Sequence, residues 1–151
     1  MTAGGQASAA PSQAAVSYRP PVITALSGPG AAGAVTPGSQ TVYVTGDMFG
    51  PATLASPAGV PQPGAIAPLA RYGHPAANAS LLQYLAQGCL VTVDHTQMTC
   101  LTAPGTGAAL VWAAFVAGQV SAISTATSSY APPIFGAYSG PGSHLANTTG
   151  G

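Results

Sequence analysis

Hydrophobic residues in this chain come in short alternating or continuous runs bounded by glycine and proline, the spacing of strands rather than helices. In QTVYVT at residues 40–45, Val42 and Val44 fall on one face and Thr41, Tyr43 and Thr45 on the other, which predicts a strand with one buried side. VITAL at residues 22–26 is apolar and partly β-branched, and Pro20-Pro21 fix where that strand begins. LVWAAFV at residues 110–116 is apolar on both faces and predicts an inner strand. Weaker strands are expected at residues 66–72, broken by Pro68, and at residues 120–123 after the Gly118-Gln119 turn. Residues 52–64 hold too much proline and glycine for regular structure. Leu81, Leu82 and Leu85 give the one helical spacing, so residues 76–87 are expected to form an irregular loop or a single helical turn capped by Asn78 or Ser80, with a strand as the competing reading.

CLVTV at residues 89–93 and QMTCLT at residues 97–102 flank Asp94-His95-Thr96. With Asp94 and His95 as a two-residue hairpin turn, Val93 faces Thr96, Val91 faces Met98 and Cys89 faces Cys100. Opposed Cβ atoms in an antiparallel pair lie about 4.5–5.5 Å apart, close to what a disulfide requires. A four-residue loop would place the cysteines on a diagonal, and two buried free thiols are the alternative. Short strands separated by turn signals, with no convincing helix, predict an all-β chain: an immunoglobulin-like antiparallel β-sandwich with extended N- and C-terminal linker segments.

Self-comparison reveals an internal repeat. Residues 17–30 read SYRPPVITALSGPG and residues 129–142 read SYAPPIFGAYSGPG, identical at nine of fourteen positions with an offset of 112. GGQAS at residues 4–8 resembles AGQVS at residues 117–121 once one residue is gapped. The implied organisation is the end of a preceding repeat and linker at residues 1–19, one whole unit at 20–131, and the start of a following repeat at 132–151. A period of this length is domain-sized, so the architecture expected is beads on a string, cut from a longer tandem array. The alternative is a pair of duplicated proline-rich flanks around an unrelated domain. In the array, Pro132, Pro133, Ile134, Phe135 and Tyr138 belong to the first strand and turn of the next unit. A lone strand carrying Ile134 and Phe135 is unstable, so it is expected to dock on a neighbouring copy, by strand addition or end-to-end packing.

Composition narrows the function classes. The 151 residues suffice for one domain, and the charged residues amount to 3 %: Arg19, Arg71, Asp47 and Asp94. Two arginines cannot neutralise a run of phosphates, which argues against a nucleic-acid partner, and with no Lys there is no phosphate-binding loop. Carboxylate catalysis would have to use both acids in the chain, so no enzyme, cofactor or metal is expected. A mean hydropathy of +0.36 at zero net charge leaves hydroxyls and amides, attached glycans, or burial in an assembly to keep the molecule in solution. The longest apolar run, residues 108–118, is about half of the roughly 20 residues needed to span a membrane. MTAGGQASAAPSQ carries neither the basic nor the apolar region of a secretory leader. Asn78 and Asn147 both begin N-x-[ST] triplets and are candidate glycan carriers, and residues 125–133 are candidates for O-linked sugar.

Other chemistry is thin. His74, His95 and His144 with either Asp lack a nucleophile elbow. Opposed Cys89 and Cys100 suit a disulfide better than a zinc site completed by His95. Asp47 in its GDMFG turn reads as a cap on that turn rather than a calcium ligand. Tyr18, Tyr43, Tyr72, Tyr84, Tyr130, Tyr138 and Trp112 could form a sugar-stacking platform, but Tyr18 and Tyr130 fall in the repeat linker and Trp112 in an apolar strand, where core or interface is expected.

Pro21 and Ile23, Gly46 with Phe49-Gly50, Cys100 with Thr102 and Pro104, Gly118-Gln119 with Ser121, and Tyr130 with Pro132 occur in the order seen in the IPT/TIG family of immunoglobulin-like domains, which this chain resembles from about residue 20 to residue 133. It departs from the family pattern in the longer loop at residues 52–64 and at Ala103-Pro104-Gly105, where the second proline is replaced. The resemblance implies tandem extracellular repeats; the family's DNA-contacting use needs basic loops that are absent here. Fold alone does not assign function. The expectation is a structural repeat of a secreted, glycosylated array that assembles with copies of itself into an extracellular fibre, appendage or surface coat. The alternative is an adhesion or receptor ectodomain module that binds a protein or glycan at the cell surface.

Overall fold

The computed structural model describes residues 2–3, 6–7, 18–52, 67–137 and 139–140. Among them are eleven strands: β1 (Thr2–Ala3), β2 (Gln6–Ala7), β3 (Val22–Ser27), β4 (Thr41–Asp47), β5 (Leu69–Gly73), β6 (Tyr84–Leu85), β7 (Gln87–Val93), β8 (Gln97–Leu101), β9 (Leu110–Val116), β10 (Gln119–Val120) and β11 (Thr127–Ser128). A 3-10 turn at Ala79–Leu81 precedes β6. One sheet has the order β3-β4-β8-β7; the other runs β10-β9-β5-β6, with β11 also pairing with β9. Every paired strand is antiparallel to its neighbour. In immunoglobulin nomenclature these are A-B-E-D facing C-F-G, with β6 added beside C and β10 and β11 sharing the G position. The chain is therefore an immunoglobulin-like antiparallel β-sandwich.

Alternation builds the core. Val42 and Val44 of β4 are fully buried while Tyr43 between them is 40 % exposed. Burying each valine is worth about 1.5 kcal/mol or more. β9 is buried along Leu110, Val111, Trp112, Ala113 and Ala114, as its two apolar faces require: Leu110, Trp112 and Ala114 join the main core, while Val111 and Ala113 pack with Ala79 and Leu82 in a second cluster on the other face. The Trp112 ring stacks on Tyr72 of β5 at a centroid distance of 4.4 Å. β5 begins only at Leu69, one residue past Pro68, which cannot donate to the ladder.

Two local expectations need correction. The turn between β7 and β8 takes three residues, 94–96, so Val93 pairs with Gln97 rather than Thr96, and His95 sits at φ 60°. A register shift between Val91 and Val93 absorbs the extra residue. Farther along, Val91 still faces Met98 and Leu90 faces Thr99, so the cysteines meet as expected: Cys89 and Cys100 are disulfide-bonded with Cα atoms 4.2 Å apart. This bridge ties two neighbours of one sheet, unlike the inter-sheet bridge of antibody domains.

The strand expected at residues 120–123 stops at Val120. Beyond it, serine hydroxyls replace part of the ladder. Ser121 Oγ accepts from the Ala114 N–H at 2.9 Å and Ser124 Oγ from the Trp112 N–H at 2.9 Å, while Ser128 Oγ accepts from the Trp112 indole at 2.8 Å. Buried donors on β9 are thereby satisfied without a regular partner strand.

The N-terminal hairpin has a counterpart in the sandwich. β1 and β2 pair Thr2 with Ala7 and Ala3 with Gln6, and β9 and β10 pair Phe115 with Val120 and Val116 with Gln119. Both hairpins have two residues between the strands, and Gln6 holds the register position of Gln119.

Candidate functional site: the two ends of the sandwich

The chain enters the sandwich through the first copy of the repeated segment and leaves through the second, so each end carries one copy. At the exit end, Tyr130 is built into the core. Its backbone N–H donates to the Gly107 carbonyl at 2.8 Å, and the Ala131 N–H donates to the Ala34 carbonyl at 2.8 Å, so this segment runs parallel to the one around Ala34. Its ring is 4 % exposed and meets Tyr84 edge-on at 5.9 Å. The Tyr130 hydroxyl donates to the Ala103 carbonyl, the Ala103 N–H donates to the Tyr72 hydroxyl at 2.8 Å, and the two hydroxyls are hydrogen-bonded to each other. Tyr72, Tyr84, Tyr130 and Trp112 thus form a connected aromatic cluster tied to the backbone of one residue, Ala103. Burial, and then the hydrogen bond it donates to Tyr130, hold the Tyr72 hydroxyl well above the usual tyrosine range. Burial also raises Tyr130.

At the entry end the same residue type is outside. Tyr18, the counterpart of Tyr130, is 81 % exposed, and its carbonyl accepts from the side-chain amide of Gln119. Burial begins three residues later: Pro21 is fully buried and Ile23 is 7 % exposed at the start of the β3–β4 pair. In the second copy the order is inverted. Tyr130 is buried, whereas Ile134 is 92 % exposed and Phe135, the counterpart of Ile23, is 77 % exposed. Pro132 and Pro133 are exposed as well. Gly28 at φ 96° and its counterpart Gly140 at φ 114° share the backbone region that favours glycine. Tyr138 lies outside the described residues.

A groove of about 900 Å³ opens at the exit end, lined on one side by Val35, Thr36, Gly107 and Ala108 and on the other by Pro132 and Ile134.

The remaining candidates are dispersed. Asn78 is exposed, and its side-chain oxygen accepts from the Ser80 N–H at 3.1 Å, capping the 3-10 turn as expected. Arg71 donates to the Ser80 and Leu82 carbonyls of the same loop. Asn147 and His144 lie outside the described residues. Asp47 caps its own turn, accepting from the Met48 N–H at 2.9 Å, and Asp94 accepts from the Ala52 N–H at 2.7 Å. The disulfide removes Cys89 and Cys100 from any metal site with His95, and among the described residues no three His, Cys, Asp or Glu side chains are grouped to hold a metal ion. A sugar-stacking platform loses Tyr72, Trp112 and Tyr130 to the core. Placing Tyr130 in a linker is corrected by the same burial; the signal available was the Tyr itself, a residue whose ring and hydroxyl both favour a buried, hydrogen-bonded position. No helix among the described residues is long and apolar enough to cross a membrane, and the disulfide is a bond that persists in oxidising compartments. Comparison with family models, curated proteins and solved structures finds no match to this chain.

Proposed function

We propose that this chain is a structural repeat of a secreted tandem array of IPT/TIG-like modules that assembles with copies of itself into an extracellular fibre, appendage or surface coat. The observation that carries the proposal is the opposite burial of the two copies of one segment: Tyr130 inside and Phe135 outside in one, Tyr18 outside and Ile23 inside in the other. A segment whose first half completes one sandwich and whose second half starts another belongs at the boundary between two modules. The N-terminal hairpin, with the register of β9 and β10, fits the end of a preceding module. A surface with four charged residues suits a protein covered by neighbours and glycans, with Asn78 and Asn147 as acceptors.

Intact-mass spectrometry and negative-stain microscopy of the native material test this reading. Regular filaments and a mass that includes glycan support it. Dispersed particles would favour the adhesion or receptor module instead, and an unmodified mass would remove the glycans.

A further inference from the structure

We infer that the repeated tyrosine is a rigid joint shared by consecutive modules, its ring locked in the module before it and its carbonyl held by a glutamine of the module after it. The inference rests on the tandem-array reading and extends it to the geometry of the contact. Each copy of the segment displays one half of the joint. In the second copy the ring is seated, with the Tyr130 hydroxyl on the Ala103 carbonyl and the ring against Tyr84. In the first copy the carbonyl is seated, with the Gln119 amide on Tyr18. Combining the halves at one junction gives a residue gripped from both sides.

The spacing leaves no slack. From the tyrosine to the second proline, Pro21 in the first copy and Pro133 in the second, there are three residue steps, which span at most about 11 Å. One of the two intervening residues is itself a proline with a fixed φ. Two modules attached at the two ends of so short and stiff a tether must touch. The groove at the exit end is where they do so. One wall, Val35 to Ala108, belongs to the module that ends there, and the other, Pro132 and Ile134, corresponds to Pro20 and Val22, the first residues of the module that follows. The occupant of this surface is therefore the entry end of the next copy of the same module, and the resulting array is a stiff rod rather than a flexible string.

The test is a distance measurement between spin labels placed at Thr125→Cys in two consecutive modules of the full-length chain. A single narrow distance distribution is expected, lost when Gly-Ser is inserted between Ala131 and Pro132 and broadened when the following module's counterpart of Gln119 is changed to Ala. Because the insertion lies outside the core, circular dichroism of that variant should match the parent. A broad distribution in the parent, or a narrow one that survives the insertion, overturns the joint while leaving the array intact. An intact mass with no second module overturns both.

Discussion

The two copies of the Tyr-x-Pro-Pro segment have nearly one sequence and two opposite environments. Tyr130 packs among Tyr72, Tyr84 and Ala103, whereas Tyr18 is largely exposed; Ile23 is in the core, whereas Ile134 and Phe135 are at the surface. Burial here follows from which sandwich lies within reach rather than from the residue type. An exposed run of Pro, Ile and Phe is the kind of surface that the proposed array would cover with a neighbouring module.

The contrast breaks most sharply at the tyrosines. Replacing Tyr130 by Ala in the 151-residue chain removes a buried ring from the aromatic cluster and is expected to cost about 3–5 kcal/mol in urea unfolding. Reducing the Cys89–Cys100 bridge acts by freeing a short loop in the unfolded chain and should cost about 2–4 kcal/mol in the same assay. Replacing Tyr130 by Phe keeps the ring and removes the hydroxyl from the Ala103 carbonyl and Tyr72, an expected loss of about 1–2 kcal/mol.

The same hydroxyls set a pH limit. Tyr72 and Tyr130 have folded pKa values raised above the ordinary tyrosine value of about 10, so the folded state holds their protons more tightly than the unfolded state. Their contribution is complete below about pH 10 and is lost as pH rises toward the folded values. Unfolding followed by fluorescence across pH 8–12 should show stability falling above pH 10, with a shallower fall in Tyr130→Phe, where one titrating group is gone. At the small end, Tyr18→Ala and Ile134→Ser should each move the unfolding midpoint of the single chain by less than about 0.5 kcal/mol. A large effect at Tyr18 would mean that the two copies are equivalent after all.

Much of this arrangement was legible in the sequence. Period-two alternation located β4, and the all-apolar run gave β9 its full bounds because a strand covered on both faces has no polar position to interrupt it. The disulfide followed from register, and survived a wrong turn length because the shift near Val93 restores the pairing before Cys89 is reached. The positive φ at His95 that makes the three-residue turn leaves no compositional mark. The closing edge differs from the strand expected at residues 120–123: past Val120 the Ser121 and Ser124 hydroxyls, not a backbone ladder, accept from the β9 N–H groups. Its place in the repeated segment puts Tyr130 in a linker; the hydrogen bonds that pull it into the core come from Ala103 and Tyr72, far away in sequence. The proposed joint cannot be read from either copy alone, since each displays only half of the contacts it combines.

The most direct measurement is a map of the full-length assembled chain by electron cryomicroscopy, at a resolution that places side chains at one junction. The account predicts the counterpart of Phe135 packed in the next sandwich where Ile23 sits in this one, with Pro133 buried as Pro21 is. Residues 132–140 lying in solvent, or folded back on the sandwich they leave, would contradict it.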